Sequence, residues 1–167
     1  MTPDDFLPRV VLPGLALLPP RMRAVEAQCF LVAVGGQEGG WMYRRQLEGG
    51  TAHGFFQCEG AHGAVGEVVT SPHTAPYVRT VCAALDIDCT VEEVYQAIVY
   101  CDALAAAVAR LIPWPDPTPM AAIGDEEGAW QAYEQGWKPG RPDRFRWAGC
   151  YAAAVETVQR APTRPPA

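Results

Sequence analysis

The chain has 167 residues, 49% hydrophobic and 19% charged, with 19 Asp and Glu against 13 Lys and Arg and a formal net charge of -6. That length suits one domain with a substantial core, and the apolar share excludes disorder over most of the chain. The acidic balance, with a pI near 5.0, argues against nucleic acid as a partner, because neutralising phosphate needs clustered Lys and Arg.

Residues 1–19 read as an extended, proline-punctuated lead-in. Asp4 and Asp5 stand where a signal peptide carries its basic region, and Pro13, Pro19 and Pro20 interrupt the apolar stretch. No apolar run reaches the roughly 18 residues of a membrane span, so a soluble, unprocessed chain is expected. From Pro20 the spacing predicts a helix, with Pro20 in the first turn. Met22, Val25, Cys29 and Val32 repeat at helical intervals, and FLVAV at 30–34 makes the rest apolar all round, as in buried helices. Gly35-Gly36 should end it, which puts Glu38 just past its C-terminus.

The segment 39–60 is too rich in glycine for helix. It predicts a small β-hairpin around YRRQLEGGTAHGFFQ. A short helix is expected over 61–70 and another from Pro76 to Leu85. Thr90 and Glu93 form a capping box opening one long apolar helix that runs to Pro113 and centres the fold. WPDPTP at 114–119 reads as a rigid loop. Helices follow at 125–134 and 143–160, the latter capped by Asp143, and 161–167 should be a flexible tail. The fold class is therefore mainly α (α+β), one domain over 1–167 with a small β-hairpin.

The six cysteines contain no CxxC pair, and a core this large does not need bridges, so free thiols are expected. His53, His62 and His73 do not share a helical face at ligand spacing, so no metal site is expected. No phosphate loop or Gly-x-Ser-x-Gly elbow occurs, and no cofactor is expected. A Cys58–His53 nucleophile pair is a minor alternative.

Residues 36–60 carry the chemistry. Glycosidic cleavage needs a carboxylic acid that remains protonated near neutral pH, and burial against apolar surroundings keeps it so. Glu38 fits by position, beside a buried helix whose C-terminal dipole further disfavours a negative charge. Inverting hydrolysis needs a second carboxylate to hold a water on the opposite sugar face, and Glu48 and Glu59 are available across the predicted hairpin.

QEGGW (37–41) with AHGFFQCE (52–59) resembles the signature of goose-type lysozymes and lytic transglycosylases. There a helix ends in a catalytic glutamate and a G-L-M-Q segment follows. Glu38 matches that glutamate, and Gly54-Phe55-Phe56-Gln57 matches G-L-M-Q. Glu48 and Glu59 fall where goose-type enzymes carry carboxylates, nine residues before the glutamine and two after. AWQAYEQGWKPG (129–140) is similar to the late A-Y-N motif, whose tyrosine faces the glutamate, and to small phage-encoded cell-wall lysins. The chain departs from the pattern at Gly39, where serine is usual, in the two phenylalanines, and at Glu134 in place of asparagine.

The resemblance implies a lysozyme-like fold with the hairpin beside an active-site cleft, peptidoglycan glycan strands as substrate, and a monomer with no membrane or nucleic-acid partner. It implies an endolysin-type muramidase with Glu38 as acid. A lytic transglycosylase is the alternative, and a non-catalytic wall-binding or virion protein the second. Such a lysin would sit in the host cytoplasm until released through a holin, or travel in a virion. Glu48 is a base or an exposed turn tip, and Glu59 a base or a helix-start charge. Gln57 holds the sugar N-acetyl group or braces the glycine turn. Trp41, Tyr43, Phe56 and Tyr133 line the sugar path or pack. Arg44 and Arg45 meet peptide-stem carboxylates or solvent.

Overall fold

The computed structural model describes residues 1–46 and 49–161 and is mainly helical. The first departure from expectation is at the start. Residues 3–16 are helical: α1 (Pro3–Phe6), a π-helical turn (Leu7–Val11) and α2 (Leu12–Ala16). Prolines break helices from within but are accepted in a first turn. Pro3, Pro8 and Pro13 each occupy a first turn, and between them the register widens, with Leu12 N–H bonding to Leu7 O. Phe6, Leu7, Val10, Val11, Leu15 and Leu18 are all buried in the core, so the segment is an integral layer.

Pro20–Met22 forms only a 3₁₀ turn, and α3 runs Val25–Gly39. It does not stop at Gly35-Gly36. Both glycines remain helical because neighbours fill the space a side chain would take: a Cβ on Gly35 would lie 2.5 Å from Phe6 Cζ, and one on Gly36 2.3 Å from Trp41 Cζ2. The helix ends at Gly40, which takes the left-handed conformation at φ 57, where glycine is unstrained. Glu38 thus lies in the last turn of α3.

Beyond it the chain makes a compact excursion. Expected as a hairpin, it carries among the described residues only two isolated antiparallel bridges, Arg45 with His53 and His53 with Cys58. Leu47 and Glu48 lie outside the described residues. Helices α4 (Ala64–Thr70) and α5 (Ala75–Ala84) follow.

The single helix expected to run from 90 to Pro113 is two, α6 (Val91–Ala97) and α7 (Asp102–Leu111). Thr90 caps α6 by accepting from Glu93 N–H at 3.2 Å. No glycine or proline lies in the break, so tertiary packing imposes it. Gly54 presses against the Ile98 carbonyl, and Asp102 turns to a two-pronged pair with Arg44, both contacts 2.8 Å. α8 extends to Trp137 (Glu126–Trp137), and α9 (Arg144–Arg160) is capped by Asp143. The most extensive packing is α3 on α9, with α2 on α7 next. Of the expected tail, 162–167 lies outside the described residues. Among the described residues no helix is long and apolar enough to cross a membrane.

Candidate functional site

The end of α3 is held from three directions. Arg146 on α9 donates from Nη2 to the Gly36 carbonyl at 2.8 Å, a cation on the negative end of the helix. Gln37 Nε2 donates to the Asp143 carbonyl at 3.1 Å. From below, the Gly54–Gln57 turn presses so close that a Cβ on Gly39 would lie 2.6 Å from the Phe55 carbonyl. A serine has no room there, which gives the departure at Gly39 a steric reason.

Glu38 emerges from this junction half-buried, and Tyr133 Oη donates to its Oε1 at 2.6 Å across 95 residues of sequence. Burial raises the Glu38 pKa above the ordinary glutamate value, opposed by the Tyr133 hydrogen bond and the nearby Arg146 charge. The Tyr133 phenol is raised in turn by burial and by Glu38. Its ring is wedged among Trp147 (5.0 Å), Trp130 (5.3 Å) and Trp137 (6.1 Å). Tyr133 therefore does not offer its face to a sugar, and only the hydroxyl acts in the site.

Glu38 lies in a cleft of about 390 Å³ lined also by Gln57, Glu59, Trp137, Arg141 and Arg146, within the size range of small-ligand sites. Two depressions of similar volume, about 360 Å³ beside α4 and about 420 Å³ beside α8, have only exposed carboxylates, Glu67, Asp116 and Asp125. The cleft at Glu38 is distinguished by a carboxyl withdrawn from water and met by a donor.

The remaining expected residues divide clearly. Glu59 is exposed on the cleft wall and accepts from Thr51 Oγ1 at 2.9 Å. Gln57 lines the cleft, but its amide donates to Gly54 O at 2.7 Å and braces the turn. Phe56 is fully buried beneath the cleft, so it packs. Trp41 is fastened by Nε1 to Val32 O at 2.8 Å and covers Gly36, outside the cleft lining. Tyr43 is exposed and also outside that lining.

Arg44 is taken by Asp102 and lies 4.1 Å over the Phe55 ring. Arg45 meets His53 Nε2 at 3.0 Å, while His53 Nδ1 bonds Tyr95 O at 3.0 Å and the two rings stack. Both ring nitrogens of His53 are therefore engaged, and Cys58 is buried with its thiol pKa raised. A Cys58–His53 nucleophile has neither a free base nor a reachable sulfur. Among the described residues no three His, Cys, Asp or Glu side chains could hold a metal.

Sequence reasoning missed Arg146, Gln37 and Trp137 as parts of the site. Trp137 carried a signal, since it lies one helical turn after Tyr133. Its Nε1 donates to the Phe56 carbonyl at 2.8 Å and ties α8 to the turn. Arg146 carried none, because its role depends on where α9 crosses α3. No protein-family model, no curated protein and no solved structure matches this chain.

Proposed function

We propose that the chain is a peptidoglycan glycosidase of lysozyme-like fold that cuts the β-1,4 bond between N-acetylmuramic acid and N-acetylglucosamine. The observation that carries the reading is the Glu38–Tyr133 contact: a carboxyl of raised pKa, steadied by a phenol, on the floor of an open cleft. In this reading Glu38 delivers its proton to the glycosidic oxygen as the C1–O bond breaks. The Tyr133 hydroxyl then bonds the carboxylate left behind. Glu48, from outside the described residues, takes the one proton lost by the water that attacks C1, and Glu59 helps to position that water. The site works without a cofactor, and the sugar–peptide polymer of the wall is the substrate. An acid buried against apolar walls is how such chemistry runs near neutral pH.

One observation favours a lytic transglycosylase instead. Tyr133 faces Glu38 as the resemblance to those enzymes implies, while Glu59 stands exposed. There Glu38 first donates its proton, then takes one from the sugar's own 6-hydroxyl, which closes an anhydro ring. The test incubates the purified chain with Gram-negative sacculi beside Glu38→Gln and identifies the released muropeptides by mass spectrometry. Reducing muramic ends made only by the unmutated chain are the expected result. Anhydro ends, lighter by one water, assign the transglycosylase. No release from the folded protein overturns both and leaves a wall-binding protein.

A further inference from the structure

The sequence KPGRPDRFR (138–146) holds four of the chain's 13 Lys and Arg, in a protein whose net charge is -6. It joins α8, which carries Tyr133, to α9, which carries Arg146, so its position is referenced to Glu38 from both ends. Lys138, Arg141 and Arg146 all line the cleft. Arg144 is neutralised by Glu126 and Glu127 at 3.2 and 2.7 Å. Lys138 reaches Glu67 at 3.1 Å, but both side chains are well exposed, and such pairs exchange for other partners at little cost. Arg146 spends one nitrogen on a backbone carbonyl. Neither it nor Arg141 meets a carboxylate within ion-pair distance among the described residues.

Of the cleft's acids, Glu38 accepts from Tyr133 and feels the Arg146 charge without coming within ion-pair distance of it, and the others are placed elsewhere or already engaged. Glu59 follows the Gly54–Gln57 turn, and the Asp143 carboxylate accepts from Arg146 N–H as the cap of α9. Arg141, outside ion-pair range of every described carboxylate, and Arg146, whose charge also bears on Glu38, fit a ligand that brings anionic oxygens.

We propose that segment 138–146 is a carboxylate-reading wall, so that the cleft takes glycan whose muramic residues carry anionic peptide stems in preference to neutral glycan. The identity of the polymer rests on the glycosidase reading; the charge selectivity does not. Guanidinium groups suit carboxylates through paired, charge-assisted hydrogen bonds.

The test measures binding by calorimetry on Glu38→Gln, which is not expected to cleave. The ligands are soluble uncrosslinked strands with intact stems, the same strands after amidase treatment, which keep only the lactyl carboxylate, and a neutral chitin hexamer. Stem-bearing strands should bind most tightly, and Arg141→Ala should cut their advantage over chitin by roughly tenfold, with Arg141→Lys restoring most of it. Equal affinity for stem-bearing strands and chitin overturns the wall. So does an advantage that Arg141→Ala leaves intact. Amidase-treated strands that bind as tightly as intact ones overturn the stem as the ligand. Selective binding without any cleavage by the unmutated chain defeats the glycosidase reading and leaves the wall standing, whereas cleavage without selectivity does the reverse.

Discussion

Glu38 gains proton affinity from burial and loses some of it to Tyr133 and Arg146, and the net direction has a consequence independent of activity. A carboxyl whose folded pKa exceeds its unfolded value contributes stability that is full below the unfolded value. That contribution is lost as pH rises through the folded one. Glutamine keeps the acceptor for Tyr133 and never ionises. Glu38→Gln should therefore match the unmutated protein in Tm below the ordinary glutamate pKa and exceed it increasingly as pH rises above that value. Thermal melts on both sides of that value check it, and parallel curves would show that Glu38 ionises without a cost from burial. On the glycosidase reading the same sign applies to activity, which should fall on the alkaline side as the acid loses its proton through the raised pKa.

At the scale of elements, the site is a junction of α3, the 54–57 turn, α8 and α9. Its tightest point is Gly39 against Phe55. Gly39→Ala puts a methyl where a carbonyl oxygen lies 2.6 Å away, and the obstacle is backbone rather than a flexible side chain. The turn must retreat, taking with it Gln57 and the Phe56 carbonyl that Trp137 holds. Overpacking of this kind costs about 1–3 kcal/mol, to be read from the urea midpoint. On the glycosidase reading, kcat should fall more than KM rises, because the acid is displaced from the bond it serves. A neutral Gly39→Ala would mean that the junction yields without strain.

Over the whole molecule, the N-terminal segment is the keystone under this junction. Phe6, fully buried, meets Phe55 edge-on at 5.2 Å and Phe56 at 5.8 Å, and its ring fills the space beside Gly35. Phe6→Ala should cost about 3–5 kcal/mol, the usual range for removing a buried phenylalanine, measured by denaturant unfolding. A loss under 1 kcal/mol would return the segment to the peripheral strap that its prolines suggested. The buried cluster runs continuously from Phe6 to Val158, so first and last helices share one core, and the ion pair of Arg160 with Asp4 at 3.1 Å closes the ends on the surface.

The sequence alone determined the mainly helical class, because apolar residues at helical spacing and caps such as Thr90 and Asp143 are local signals. It also pointed to Glu38, by its place after a buried apolar helix, while Tyr133 was marked only by the resemblance at 129–140. What it misjudged is everything decided by close approach. Gly35-Gly36 stays helical because Phe6 and Trp41 occupy the missing side-chain volume, and a glycine pair reads as a stop only when nothing packs on it. The α6–α7 break has the same origin, since tertiary contacts outweigh propensities worth under about 1 kcal/mol per residue, whereas 3–16 is helical because each of its prolines falls in a first turn. Whether a charge is free or spent was equally invisible. Arg44 is held by Asp102, 58 residues away, while Arg141 and Arg146 face the cleft, and only the crossing of helices distinguishes them.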